Sequence, residues 1–479
     1  MPEPQSKSNY SPSTITSTDL NAKAEASNAS PTQPLDRLKT SAFDRRLSIA
    51  KASFNIGRRW AGNSVGGLFM SKEARTSRNQ AFMQEQADYL VRALGKLKGS
   101  VVKIGQMLAL YGEHFLPPEI TEALHTLNDN TASLAWTVVE QTLRRELGDK
   151  LSELEVDPTP IGTASLAQVH RATIIATGEQ VVLKVQYPGV ADAIDSDLSL
   201  FRHLLKVTNA VPQMQVLDAW FLEIKDLLKT EVNYKLEADT TKRFGERLAD
   251  DERYVVPKVY DAYSTMRVLC LSYEVGEPIT QVDMDALSQT RRDALGQAVI
   301  DILLNEIFVW GEMQTDPNFG NYLIRLADLE GDASQDKLVL LDFGAMRQFD
   351  GKLLSIARGL MIAGYQHDKT AMLSAMHGYE FFDAMNERDK GNMADVFLLA
   401  TEPFRKTALA NHGYRWATSN LHERLMTLSG EAMQTRHFSL PPKEFMFISR
   451  KFIGAYTFLT VLDAVTDSEQ ILQNFVPLG

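Results

Sequence analysis

Three residues set up one kind of chemistry. Asp316 and Asn321 bracket the segment Asp316-Pro-Asn-Phe-Gly-Asn321, and Asp342 follows in Leu340-Leu-Asp-Phe-Gly344. A carboxylate and a side-chain amide are oxygen donors of the kind Mg²⁺ prefers, because it is a hard cation that bridges phosphate oxygens. A second carboxylate can then orient an attacking hydroxyl or water. An Asp-Phe-Gly alone is weak, and a β-hairpin whose acids cap its turns would also place carboxylates here. The ordered set, with an apolar strand-like run at 338–341 before the last Asp, is far more specific.

Upstream, Lys184 sits in Val182-Leu-Lys-Val185, a single ammonium among apolar strand formers. Such a lysine commonly sits at a sheet edge or extends its head to water. Here it follows the turn Ile161-Gly-Thr-Ala-Ser-Leu-Ala-Gln-Val-His170, where a phosphate-covering loop would lie. That order matches the protein-kinase layout, in which a strand lysine holds the α/β-phosphates and pairs with a helix Glu. Glu237, in the helical stretch 231–244, is the expected partner; the plainer reading is a solvated carboxylate on a charged helix.

Short β-like runs at 167–173 and 181–185, joined at Thr177-Gly178, begin a small sheet, and runs at 255–259 and 267–273 continue it. Helical patterning fills 190–248 between them. Beyond Pro278 the chain is mostly helical, interrupted by strands at 322–324 and 338–341 around a polar loop. Before the sheet, Leu90, Leu94, Leu97, Val101 and Leu108 keep helical spacing, with Gly99-Ser100 as a break and Lys103 off the stripe. Helix is expected again at 136–147.

The chain of 479 residues has room for more than one compact unit, and its net charge of −11 disfavours nucleic acid as a partner. Cys270, the only cysteine, lies in an apolar run and reads as core. The polar stretch 1–34 lacks the apolar region of a secretory signal and carries acids that an organelle presequence would not; it reads as disordered. No apolar stretch approaches the ~18 residues of a membrane span. Arg45, Arg46, Lys51, Arg58 and Arg59 are interleaved with apolar residues and could lie on an anionic membrane surface, but the helical wheel is mixed and an ordinary solvated or packed helix is the plainer reading.

Ala164-Ser-Leu-Ala-Gln-Val-His170, Leu183-Lys-Val-Gln-Tyr-Pro-Gly189, Gln314-Thr-Asp-Pro-Asn318 and Leu341-Asp-Phe-Gly-Ala345 together resemble the UbiB (AarF-domain) family of atypical kinase-like proteins. Lys103-Ile-Gly-Gln106 matches that family's Lys-x-Gly-Gln signature, so the resemblance spans roughly 99–441. It implies an α+β, bilobal protein-kinase-like fold with a helical N-terminal extension packed over the active site. The expected organisation is a polar tail (1–40), the extension (41–150), an N-lobe with a helical insertion (151–275) and a helical C-lobe (276–479).

By the same resemblance, Asp316 and Lys184 are catalytic, and Asn321 and Asp342 hold Mg²⁺. Ala164, Ser165, Lys184, Glu237, Lys103, Gln106 and Glu231 surround ATP or ADP, with Glu231 a partner for Lys103. Two positions depart from the family pattern. The loop begins Gly162-Thr163 where alanines are common, and the Glu-x-Asp motif reads Glu231-Val-Asn233, with no second charge.

The family implies an ATPase or small-molecule kinase supporting coenzyme Q (ubiquinone) biosynthesis. Its expected partners are a quinone precursor or other lipid-like molecule, biosynthetic proteins, and an anionic membrane bound peripherally from the cytoplasmic side. A non-catalytic nucleotide-sensing scaffold is the alternative, and intact Asp316 speaks against it. A protein Ser/Thr kinase is disfavoured because no Ala-Pro-Glu segment follows Asp342.

Overall fold

The computed structural model describes residues 99–112, 118–125, 133–207, 214–316, 318–327, 335–406, 413–433 and 443–476. The polar tail, the basic segment 45–59 and the first half of the leucine stripe lie outside them.

Successive residues on a strand face opposite ways, and this alternation organises the N-terminal half. Helices α1 (Ser100–Gly112), α2 (Pro118–His125) and α3 (Trp136–Leu147) precede strands β1 (Leu154–Thr163), β2 (Ala167–Ile174) and β3 (Gln180–Gln186). Gly178, at φ +72°, makes the turn between β2 and β3 without the strain a side chain would bring. Helices α4 (Val190–Val207), α5 (Met214–Glu231) and α6 (Tyr234–Arg247) follow, then the short β4 (Tyr254–Val255) and β5 (Val268–Ser272). The antiparallel sheet has the order β1-β2-β3-β5.

One face of this sheet, with Val181, Leu183, Val185, Val268 and Cys270, packs on α1, α3, α4 and α5 through Ile104, Leu143, Phe201 and Ile224. The extension helix α1 is therefore part of a core, not an appendage. The opposite face carries Ala167, Leu269 and Leu271 against Tyr234 and Ala238 of α6. Lys184 belongs to that second face.

Two strand expectations need correction. β1 begins at Leu154, ahead of the predicted sheet, because backbone pairing with β2 holds it despite Pro158 and Pro160, with register shifts at both prolines' neighbourhood. The predicted strand at 255–259 shrinks to Tyr254–Val255, since Pro257 has no N–H to donate; β4 instead pairs in parallel with a strand of the C-terminal half.

That half is built on α7 (Gln289–Leu304), capped by the Ser288 side chain and buried through Leu295, Val299, Ile300, Leu303 and Leu304. It runs into a π-helical turn, Asn305–Val309. Strands β6 (Glu312–Gln314), β7 (Tyr322–Arg325), β8 (Lys337–Leu340) and β9 (Met346–Gln348) then form two small sheets, β4-β8-β7 and β6-β9. Helices α8 (Gly351–Gln366), α9 (Lys369–Met376), α10 (Glu387–Ala400), α11 (Leu421–Met433), α12 (Lys443–Val461) and α13 (Ser468–Gln473) complete the lobe. Among the described residues no helix is long and apolar enough to cross a membrane.

Candidate active site

Strand alternation points Lys184 at α6, whose first turn carries Glu237. That helix starts where it does because the Asn233 side chain accepts the Leu236 N–H, a standard N-cap. Glu237 is 2% exposed. Lys184 Nζ lies 2.7 Å from Glu237 Oε1 and 3.1 Å from Asp342 Oδ2, so one ammonium is shared by two carboxyl groups from different lobes. The Tyr234 ring lies 5.3 Å from the same nitrogen.

Burial and charge oppose each other in this triad. Burial alone would favour a neutral amine at Lys184, but Asp342 and Glu237 outweigh it and raise its pKa well above that of an ordinary lysine. At Glu237 burial wins over Lys184, and the carboxyl is pushed up to about 7. Asp342 is also buried, yet Lys184, the Gly344 N–H and Lys103 hold it below the usual carboxylate range. Asp342 is thus the firmer anion of the two. A Cβ on Gly344 would stand 3.2 Å from both Asp342 Oδ1 and Glu237 Oε2, which explains why glycine suits this position.

Asp342 is fixed from behind by Phe343, which packs on Phe244 of α6 with ring centroids 5.0 Å apart. It is joined to the Asp316 loop by a residue outside the expected site, Gln314. Gln314 Nε2 donates to the Asp342 carbonyl (2.9 Å), and its Oε1 accepts the Asp316 N–H (2.7 Å). The loop closes on itself through Asn321 Nδ2, which donates to the Asp316 carbonyl at 3.2 Å. Leu341 N in turn donates to the Asn321 carbonyl at 2.9 Å. Asp316, Asn321 and Asp342 are therefore held as one unit. The available signal for Gln314 was its place at the head of the motif Gln314-Thr-Asp-Pro-Asn318, two residues before Asp316.

The extension meets the cleft at two points. Lys103 Nζ is 2.8 Å from Glu231 Oε1, at the last residue of α5, where a carboxylate opposes the helix dipole unless a cation compensates it. Burial disfavours the Lys103 charge, but Glu231, Asp316 and Asp342 raise its pKa above the ordinary lysine value. Gln106 Oε1 accepts the Ser165 hydroxyl at 3.3 Å, tying α1 to the loop between β1 and β2. Ala164 is exposed in that loop, its N–H bonded to the Ala167 carbonyl.

Two cations, Lys103 and Lys184, consequently face four acids, Glu231, Glu237, Asp316 and Asp342. Among the described residues no cluster of three or more His, Cys, Asp or Glu forms a metal cage. Mg²⁺ does not need one, since it is usually bound by one or two protein oxygens plus phosphate and water.

The chain is 29% identical over 434 residues to "Atypical kinase coq-8, mitochondrial" of Caenorhabditis elegans, covering 89% of this chain and 55% of that protein. Against "Atypical kinase COQ8, mitochondrial" of Saccharomyces cerevisiae it is 27% identical over 421 residues, covering 87% and 81%. The Rv3197 structure from Mycobacterium tuberculosis, solved with erythromycin, shares the fold at a TM-score of 0.53 and 22% identity, covering 85% of this chain and 99% of that one. Residues 126–376 match the model of the ABC1 atypical kinase-like domain, and the chain belongs to that family.

Proposed function

We propose that this chain is a Mg²⁺-dependent ATP-binding ATPase or phosphotransferase that supports ubiquinone biosynthesis, or related lipid handling, at a membrane surface. The observation that carries the reading is the sharing of Lys184 between Glu237 and Asp342, with Gln314 binding Asp342 to the Asp316–Asn321 loop. The excess of acids over cations in the cleft suits a divalent ion, and Asn321 and Asp342 supply the hard oxygens to hold it. When bound, Mg²⁺ neutralises phosphate charge and orients the γ-phosphoryl group.

The chain's own residues would do the rest. Lys184, charged and braced by Glu237, binds α/β-phosphate oxygens, and the Gly162–Ala167 loop with Ser165 covers the nucleotide. Asp316, held by its backbone N–H, orients the acceptor hydroxyl or water. Lys103 and Gln106 fix α1 beside this cleft, which favours water or a small lipid-like acceptor over a protein chain. The names of the nematode and yeast relatives support the quinone context. The basic segment 45–59 would supply the membrane contact, and the extension, N-lobe and C-lobe would divide near residues 150 and 275.

The test is phosphate release from ATP, with and without anionic liposomes and a phenolic quinone-precursor analogue. Turnover that needs Mg²⁺, rises with these additions and vanishes in Asp342→Asn is the expected result. Tight Mg·ATP binding with no turnover under any condition would instead identify a nucleotide-sensing scaffold.

A further inference from the structure

Helix α12 packs into more than one core. Near its N-terminal end Met446 and Phe447 join the core of the sheet and extension helices, while Ala455, Tyr456, Phe458 and Leu459 enter the C-lobe core. Between these two anchors lies Lys451, 4% exposed, a lysine that no motif marks. Its Nζ is 2.6 Å from Glu306 Oε2 in the π-helical turn and donates to the Tyr322 hydroxyl at 3.1 Å. Glu306 is itself 3% exposed. Burial would strip the charge from both groups. Lys451 is kept protonated by Glu306 and Tyr322 and titrates above an ordinary lysine.

Each arm of this ion pair leads to the candidate active site by one further step. Tyr322 directly follows Asn321, and its ring packs edge-on against Phe458 of α12 at 6.0 Å. Glu306 Oε1 accepts the Gln314 N–H at 3.4 Å, and the Gln314 side chain bridges Asp316 and Asp342. Phe319 of the loop packs edge-on against the same Phe458 at 5.8 Å, beside a small cavity of about 30 Å³ that Lys451 also lines, so the ion pair sits directly at the packed base of the loop. Glu306 is buried within the π-helical turn at the end of α7, and such turns are frequent at functional sites.

We infer that Lys451, acting through Glu306 and Tyr322, is a positioning residue that sets the Asn321, Asp316 and Asp342 group. By that route α12 would tie metal binding to the relation of the two lobes. The inference rests on the Mg·ATP reading above. A buried ion pair can be replaced as a unit by apolar residues with little loss of stability, whereas removing one partner leaves an uncompensated charge. This property separates positioning from mere folding.

The variant to make is Lys451→Met with Glu306→Leu, beside Lys451→Arg as the charge-conserving control. Three readouts are needed: the unfolding midpoint, amide exchange at Asp316, Leu341 and Gly344 without ligand, and the Mg²⁺ concentration for half-maximal ATP binding. Positioning predicts a midpoint near wild type, faster exchange at those amides, and a Mg²⁺ requirement raised about 10-fold or more, as for other outer contacts of metal ligands. Lys451→Arg should restore most of the Mg²⁺ dependence. A folded double variant with wild-type exchange and Mg²⁺ dependence would overturn the inference. If the double variant fails to fold, Tyr322→Phe, which removes only the hydroxyl that Lys451 donates to, carries the same exchange and Mg²⁺ measurements, and wild-type values in it overturn the inference equally. Wild-type protein that shows no Mg²⁺-dependent ATP binding, with fast exchange in the variant, would sink the nucleotide reading and leave the positioning network standing.

Discussion

Replacing Lys103 by Ala removes the cation that the extension extends to the junction of α5 and α6. The Lys103 and Glu231 side chains are 18% and 25% exposed at a separation of 2.8 Å, so the pair lies between the surface and interior regimes. Exposed pairs contribute ~0–1 kcal/mol, and breaking a fully buried pair costs ~3–5 kcal/mol. An intermediate loss of about 2 kcal/mol is therefore expected for Lys103→Ala, part of it from leaving Glu231 unpaired at a helix C-terminus. Lys103 also offsets the charge of Asp316 and Asp342, so nucleotide affinity should fall in the same variant. The assay is a double-mutant cycle with Glu231→Ala, followed by urea unfolding and by ATP affinity. A coupling of about 1–2 kcal/mol in stability is expected, within the usual range for residues in contact. Additivity within about 0.3 kcal/mol would refute the claim that this pair holds α1 over the cleft.

Glu237 titrates near 7 in the folded protein, above its ordinary value, because its charged form is buried. A raised carboxyl pKa means the folded state binds the proton more tightly, so this group's contribution is full below about 4.5 and is lost as pH rises to about 7. Asp342, held low, acts only at more acidic pH and in the opposite sense, but His170, lowered by burial, and Asp301 and Glu306, raised by it, add to the pH dependence, so Glu237 is read from the difference between wild type and Glu237→Gln in unfolding from pH 5 to 8; parallel profiles would count against it. Asn233→Ala should cost about 1 kcal/mol by uncapping α6, whereas Asn233→Asp keeps the cap and should match or slightly exceed wild type in a thermal melt. Gly162→Ala should be tolerated and add up to about 1 kcal/mol in urea unfolding, because the added methyl meets only Val169 Cβ at 4.0 Å; a loss of more than about 1 kcal/mol would show a need for glycine there.

That Lys184, Asp316, Asn321 and Asp342 belong together was legible because they lie in short local motifs. Lys184 stands out as the one charge in an alternating strand, and Asp316, Asn321 and Asp342 keep fixed spacing around turns. What joins them was not. Gln314 lies in one of those motifs, but its side-chain bridge between two loops leaves no periodic trace, and Lys451 meets Glu306 from a helix far along the chain, so neither role could be read locally. β1 escaped for a different reason. Its exposed charges and prolines contradict strand propensity, and only pairing with β2 makes it a strand. Asn233 looked like a lost charge in a family motif, yet as the N-cap of α6 it performs the hydrogen-bonding half of what an Asp would do there.

The central claim is that a nucleotide and Mg²⁺ meet at Lys184 and Asp342. Isothermal titration of ATP into the wild-type protein and into Asp342→Asn, each with and without Mg²⁺, tests it most directly. The expected result is one-site binding by the wild type that depends on Mg²⁺ and weakens at least 10-fold in the variant, equivalent to ~1.4 kcal/mol or more. Equal Mg²⁺-dependent affinity in both proteins would contradict the assignment of Asp342.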